Sequence, residues 1–182
     1  YYEQALDIFQ EIGDRTCEAT TLNNIGLVYY SLGQYTEALT YYEQALDIHK
    51  EIGHCEGEGT TLNNIGGCYH GLGQYAEALT VLEEALKIVQ ETDDRAGEGQ
   101  TLHNIGLLYS TLGRYAGALT YYEQALAIRQ EIGDRAGEGT TLMGIGAVYD
   151  SLGQYAEALT VYEQALGIAR EIGDQAGEGT TL

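Results

Sequence analysis

The sequence predicts an all-α protein built as a solenoid of stacked antiparallel helical hairpins. Three observations predict this class: a forty-residue internal repeat, apolar residues at helical spacing within each repeat, and glycines at fixed offsets between the helical segments. The period-two alternation of strands does not appear. Because a hairpin of this size cannot bury its own apolar face, neighbouring hairpins are expected to stack into a continuous core.

The repeat is visible in short motifs that return every forty residues. Asn-Asn-Ile-Gly at 23–26 returns at 63–66, and Leu-Gly-Gln-Tyr at 32–35 returns at 72–75. We therefore interpret residues 1–182 as a single array with incomplete repeats at both ends. Its segments are a partial repeat at 1–19, full repeats at 20–59, 60–99, 100–139 and 140–179, and the start of another at 180–182.

The first helix of a repeat is expected from about Arg15 to Leu32. Its apolar residues share one helical face at i, i+3, i+7 and i+10: Leu22, Ile25, Tyr29 and Leu32. Gly33 is placed to end the helix, since glycine tolerates the left-handed conformation. A glycine also recurs inside this helix, where it costs about 1 kcal/mol relative to alanine. Its recurrence indicates close approach of the partner helix at Gly26, Gly66, Gly106 and Gly146.

The second helix is expected from about Tyr35 to Ile52, where Gly53 ends it. Its broad apolar stripe comprises Ala38, Leu39, Tyr42, Ala45, Leu46 and Ile52. An aspartate, which is a favourable N-cap, is placed to start the next helix in most repeats: Asp14, Asp94, Asp134 and Asp174. His54 takes that position once.

These residues resemble the tetratricopeptide pattern of large apolar, Leu-Gly, Tyr, Ala, aromatic and Ala positions. The matching residues are Leu22, Ile25, Gly26, Tyr29, Ala38, Tyr42 and Ala45, and the match recurs in every repeat apart from Leu82 at the Tyr42 position. The usual tetratricopeptide unit has about 34 residues and closes with proline. The longer, proline-free unit is similar to the subtype of kinesin light chain, cell-polarity adaptors and bacterial signalling proteins. The resemblance implies a right-handed superhelix whose first helices line the concave groove.

Composition limits the classes of partner. The net charge of −20, from 28 acids and 8 bases, disfavours nucleic acid and anionic membranes. A neutral or basic polypeptide is the expected partner, although the charge could also serve solubility alone. No run of apolar residues is long enough to span a membrane. Three cysteines without CxxC spacing favour a reducing, cytoplasmic environment.

Positions that vary between repeats form a second face of the first helix. They fall at i, i+4 and i+7 and so share one stripe, which the resemblance places in the groove. The candidate peptide-binding residues from this stripe are Asn23, Asn63, His103, Met143, Leu27, Leu107, Tyr30, His70 and Asp150. The alternative is neutral drift at solvated positions, but the stripe is more apolar than drift favours.

A ladder of asparagines runs beside this stripe, at Asn24, Asn64 and Asn104, and Gly144 interrupts it. An amide side chain both donates and accepts hydrogen bonds, as does the backbone of an extended peptide. We therefore expect the ladder to bind peptide backbone. The alternative is that these amides satisfy hydrogen bonds between helices. Lysine and arginine are missing from the groove positions, so clamping of a terminal carboxylate is not expected.

No catalytic residue, cofactor or metal ligand is expected. His54, Cys55, Cys68 and His70 form a cluster only on paper, because thirteen helical residues separate the two cysteines by about 20 Å. The glycine-rich Gly-Glu-Gly segments lack the strand and lysine of a phosphate loop. The sequence thus indicates a protein-interaction scaffold that binds an extended segment. The alternatives are a structural spacer or end-to-end self-assembling module, and the sensor part of a larger signalling protein.

Overall fold

The computed structural model describes residues 2–173, apart from the side chain of Glu3, and in this part every regular element is an α-helix. The chain divides into two compact units, Tyr1–Asp94 and Arg95–Leu182. The all-α class is therefore confirmed. The single array drawn from the sequence stays a prediction. No helix of the described part is long and apolar enough to cross a membrane.

The first unit contains two antiparallel hairpins and one preceding helix. The helix α1 (Tyr2–Ile12) packs against α2 (Arg15–Ser31), which pairs with α3 (Tyr35–Ile52). The second hairpin pairs α4 (Cys55–Gly71) with α5 (Tyr75–Glu91), and α4 also packs on α3. The predicted starts at Arg15 and Tyr35 are confirmed, and α2 ends one residue before the predicted Leu32.

The second unit repeats the same arrangement. Its hairpins are α6 (Arg95–Thr111) with α7 (Tyr115–Ile132), and α8 (Arg135–Ser151) with α9 (Tyr155–Ile172). First helices thus begin at 15, 55, 95 and 135, which confirms the forty-residue period. The cuts at 20, 60, 100 and 140 fall inside these first helices, because comparison of repeats fixes the period but not the phase.

Turn residues act as their chemistry predicts. Gly33 and Gly53 have left-handed φ values of 73° and 67° at the helix ends. Asp14 caps α2 by accepting from the backbone N–H of Cys17 at 3.0 Å, and Asp134 caps α8 in the same way. His54 precedes α4 without capping it through its side chain. The predicted cap Asp174 lies outside the described residues.

Apolar residues at repeating positions form the core between hairpins. Tyr42 packs with Ala38, Ile65 and Cys68 where α3 meets α4. A Cβ at Gly26 would stand 2.7 Å from a ring carbon of Tyr42, closer than atoms can approach. The predicted close approach is therefore confirmed, and the group that requires it is the side chain at the Tyr42 position of the second helix.

Repeated ion pairs tie the start of each first helix to its neighbours. Arg15 pairs with Glu18 one turn later and with Glu51 of α3. Arg95 and Arg135 make the equivalent pairs in the second unit. In α4 this position is Cys55, which is exposed. A cleft lies beside this junction of α3 and α4, where Cys55 replaces the arginine.

Candidate functional site

A cleft of about 500 Å³ opens in the first unit between α2, the end of α3 and the start of α4. Four residues predicted from the sequence lie in its wall: Asn23, Asn24, Leu27 and Asn64. The remaining lining residues are Thr20, His49, His54, Glu56, Gly57 and Thr60. The structure therefore brings together residues that are far apart in sequence but equivalent in successive repeats.

Helical spacing directs three α2 residues, and the α4 counterparts of two of them, into the cleft. Thr20, Asn24 and Leu27 follow one another at i, i+4 and i+7, and Thr60 and Asn64 repeat the pattern on α4. The half-buried amides of Asn24 and Asn64 make no hydrogen bond to any other side chain of the described residues. Leu27 is 51% exposed and adds an apolar surface beside them. These amides are thus available to a ligand.

Asn23 has a different environment from its neighbour Asn24. Its amide nitrogen donates to Thr61 Oγ1 at 2.8 Å and lies 3.4 Å from His49 Nε2. Thr61 in turn donates to the carbonyl of Gly57 at 2.7 Å. The amide oxygen of Asn23 is buried without a hydrogen-bond partner. Asn23 therefore lines the cleft and also links α2 to α4.

A pair of histidines forms the floor of the cleft. His49, near the end of α3, is only 2% exposed, and its Nδ1 lies 3.2 Å from Nδ1 of His54. Burial, assisted by the proximity of His54, lowers the pKa of His49 below its ordinary value. The His49 imidazole is therefore neutral at pH 7.

Sequence reasoning missed His49. A signal was present, because this position of the otherwise regular second helix holds a different residue in each repeat: His49, Val89, Arg129 and Ala169. The variation predicted to bind peptide lies only on the first helix, which the resemblance places in the groove. The structure shows that a residue of the second helix, His49, also lines the cleft.

The remaining predicted residues of the first unit lie away from the cleft opening. Tyr30 is partly exposed, and a Cβ at Gly67 would stand 3.3 Å from its ring, so Tyr30 lies over that glycine. His70 is half-buried with its ring 5.7 Å from that of Tyr75, and burial lowers the pKa of His70. Asn63 is 7% exposed. Asn63 is therefore a buried position of α4 and is not presented to solvent.

In the second unit the position of Asn23 holds a histidine, His103, which is half-buried. His103 Nδ1 lies 3.4 Å from Thr141 Oγ1, and its ring lies against Tyr122 with centroids 5.2 Å apart. Burial, together with the positive charge of Arg129, lowers the pKa of His103 to about 4. His103 is therefore a neutral packing residue at pH 7.

Arg129 occupies the position of His49 in this unit. Its buried guanidinium donates to Gly137 O at 2.6 Å, to Thr141 Oγ1 at 2.8 Å and to Gln100 Oε1 at 2.9 Å. Asp134, at the position of His54, lies 3.8 Å from it. Burial lowers the pKa of Arg129, while Asp134 opposes that shift. In the second unit, the groups at positions whose equivalents line the cleft of the first unit are thus hydrogen-bonded to one another.

The other predicted residues of the second unit lie on its first helices. Asn104 accepts a hydrogen bond from Gln100 Nε2 at 3.0 Å, within α6. Leu107 and Asp150 are exposed and Met143 is half-buried. At Gly144, which interrupts the ladder, a Cβ would stand 2.7 Å from Tyr122 Cζ.

The sequence matches the family model of the tetratricopeptide repeat over residues 1–51, 57–131 and 112–171. These matches cover most of the chain. The chain therefore belongs to the tetratricopeptide repeat family, as the motif pattern predicted. No curated protein sequence matches the chain significantly.

Solved structures share the fold at low sequence identity. Aspartyl phosphate phosphatase F from Bacillus subtilis superposes with a TM-score of 0.89 at 20% identity, covering 99% of this chain and 47% of the other. The Rap conjugation gene regulator of plasmid pLS20, in complex with the Phr* peptide, gives 0.88 at 22%, with coverages of 99% and 50%. The chain thus spans about half the length of these two proteins.

A third similar structure comes from the subtype that the long repeat resembles. Nearly identical TPR-like repeats of a kinesin-light-chain-like protein from Podosopora anserina give a TM-score of 0.69 at 20% identity. The match covers 94% of this chain and 85% of the other. At these identities the likeness establishes the fold, and function must be argued from the site itself.

Proposed function

We propose that the chain is a protein-interaction module that binds an extended peptide segment in the cleft of the first unit. The observation that carries the proposal is that Asn24 and Asn64, at equivalent positions of α2 and α4, face one cleft with uncommitted amides. The role is one of binding, without a catalytic step. It extends to this chain the peptide binding seen in one protein of the same fold, the pLS20 Rap regulator.

The spacing of the two amides suits an extended backbone. Packed helices lie about 8–10 Å apart, and an extended chain rises about 3.3 Å per residue. Amides on successive first helices would therefore meet about every third residue of a ligand. Each can donate to a peptide carbonyl and accept from a peptide N–H, which supports affinity with little dependence on ligand sequence. Leu27, at the edge of the cleft, would add an apolar contact.

The charge of the cleft favours a neutral or basic ligand. Its lining contains one acid, Glu56, and neither lysine nor arginine. Burial keeps His49 neutral at pH 7. An acidic segment would find no cation here and would meet a chain of net charge −20. A basic side chain near Glu56 would be attracted on approach.

A peptide-display selection against the whole chain tests the proposal. Enriched peptides are measured by fluorescence anisotropy against the parent and against Asn24→Ala/Asn64→Ala. Loss of two net hydrogen bonds of about 1 kcal/mol each predicts about 30-fold weaker binding by the double variant. Alanine favours helix, so the variant should keep the helical circular dichroism of the parent.

Matched control variants test whether the loss of binding is specific to the cleft. Asn104→Ala makes the same change in the second unit, and Gln44→Ala removes an exposed amide from α3. Both should bind the selected peptides as the parent does. Equal affinity of the double variant and the parent would refute the cleft as the receptor site. Failure to enrich any peptide would do the same.

A further inference from the structure

We propose that His49 and His54 form a two-imidazole binding site for a divalent transition-metal ion at the floor of the cleft. The inference is independent of the proposed peptide binding. Imidazole nitrogen suits zinc, nickel and copper, and affinity for such a site rises toward copper. The sequence did not suggest this pair, because the cluster considered there joined His54 to Cys55, Cys68 and His70.

The separation of the two nitrogens matches the edge of a coordination polyhedron. Two nitrogens about 2.0–2.1 Å from one ion lie about 3.0 Å apart at a right angle and about 3.4 Å apart at the tetrahedral angle. The observed distance between His49 Nδ1 and His54 Nδ1 is 3.2 Å. The ring centroids are 5.1 Å apart with planes tilted by 53°, which allows both lone pairs to face a common point.

Gly57 leaves space beside both nitrogens. A Cβ at this residue would stand 2.5 Å from His49 Nδ1 and 2.6 Å from His54 Nδ1. Any other amino acid would therefore place a carbon atom within contact distance of both ligand atoms. The cleft itself reaches this point, because all three residues line it.

Asn23 supplies the outer hydrogen bond that a metal-bound histidine requires. When Nδ1 binds an ion, Nε2 carries the proton and needs an acceptor. His49 Nε2 lies 3.4 Å from the amide of Asn23, whose buried oxygen has no partner. Turning this amide by half a rotation would let its oxygen accept from His49 Nε2, and also from the hydroxyl of Thr61 once that hydroxyl releases the carbonyl of Gly57.

The equivalent junction of the second unit lacks the imidazole pair, because the positions of His49 and His54 hold Arg129 and Asp134, which form an ion pair. No set of three His, Cys, Asp or Glu side chains around one point occurs in residues 2–173. The remaining coordination positions therefore face the cleft and would hold water or a group of a bound peptide.

Calorimetric titration of the whole metal-free chain with Ni²⁺, Zn²⁺ and Cu²⁺ tests the site. One ion per chain is expected, and Cu²⁺ should show nitrogen hyperfine coupling in its electron paramagnetic resonance spectrum. His49→Val, which uses the residue at position 89, and His54→Asn, which introduces a residue favourable at an N-cap, should each bind at least tenfold more weakly. Circular dichroism verifies that each variant folds, and His54→Asn, at a half-buried position between two helices, keeps the test valid if His49→Val does not fold.

Control variants locate the ligands. His70→Ser and His103→Asn use residues found at equivalent positions of other repeats, and Cys55→Arg restores the residue of the other hairpins. All three should bind the ion as the parent does. Binding that survives His54→Asn, or that is lost with Cys55→Arg, would overturn the assignment. Absence of stoichiometric binding by the parent would also overturn it, leaving the pair as hydrogen-bonded imidazoles only.

Discussion

One substitution, glycine to alanine, is expected to have opposite effects at two helix-interior positions of the second unit. At Gly167 in α9 a Cβ would meet no atom within 4 Å. Alanine should therefore contribute only its helix propensity and stabilise the chain by about 1 kcal/mol. Ala127 occupies the equivalent position of α7, so the repeat already accepts this residue.

At Gly106 in α6 the same methyl would stand 2.8 Å from Tyr122 Cδ1. The ring cannot move away easily, because Tyr122 is 1% exposed and its ring also lies against Gly144. Overpacking of this kind costs about 1–3 kcal/mol. After subtracting the propensity gain, Gly106→Ala should destabilise by up to about 2 kcal/mol. The two variants should thus differ by about 1–3 kcal/mol.

Urea unfolding followed by far-ultraviolet circular dichroism measures both variants against the parent. Because repeat proteins depart from two-state unfolding, the comparison rests on transition midpoints measured under identical conditions. The double variant should show the sum of the two shifts, since the positions have no shared contact. Midpoint shifts of the same sign and size would refute the reasoning, because propensity alone would then explain both positions.

Two further predictions follow from single residues. Asp93 has a φ of 56°, where four other repeat junctions place glycine, so Asp93→Gly should stabilise the chain by about 0.5–1 kcal/mol. A lower thermal midpoint for that variant would contradict the strain argument. His103 has a pKa lowered to about 4, so the fold favours its neutral form and stability should fall as pH drops from about 6.5 toward 4. Thermal midpoints across this range should fall less steeply in His103→Asn, and parallel curves for the two proteins would exclude His103 as the cause.

Much of the fold could be predicted because its determinants are local and repeated. The helix starts at Arg15 and Tyr35, the left-handed glycines and the aspartate caps follow from residues a few positions apart. The spacing of apolar residues and the N-cap both act within one or two helical turns. Each repeat therefore tests the same prediction separately. The close approach at Gly26 could also be predicted from the sequence. Glycine inside a helix lowers stability, so it recurs only where packing requires it.

The candidate site could be predicted only in part. The sequence placed Asn23 and Asn24 in one binding surface, but Asn23 donates to Thr61, which lies 38 residues later. Asn24, one residue further along, turns by about 100° around the helix and keeps its amide available. The sequence selected Asn23 because its position varies between repeats and Asn24 because it recurs, and neither pattern distinguishes ligand binding from packing between helices.

The sequence by itself determined the period, the order of helices and caps, and the family to which the chain belongs. These properties depend on the spacing of residues along the chain, and that spacing recurs in every repeat. Only the tertiary structure decided which variable side chains are committed to neighbours and which face an opening. His49 reaches the floor of a cleft that first helices line, whereas Arg129 at the same position makes three hydrogen bonds of its own. That difference arises where separate helices meet, and burial and hydrogen bonding there depend on atoms that sequence spacing does not bring together.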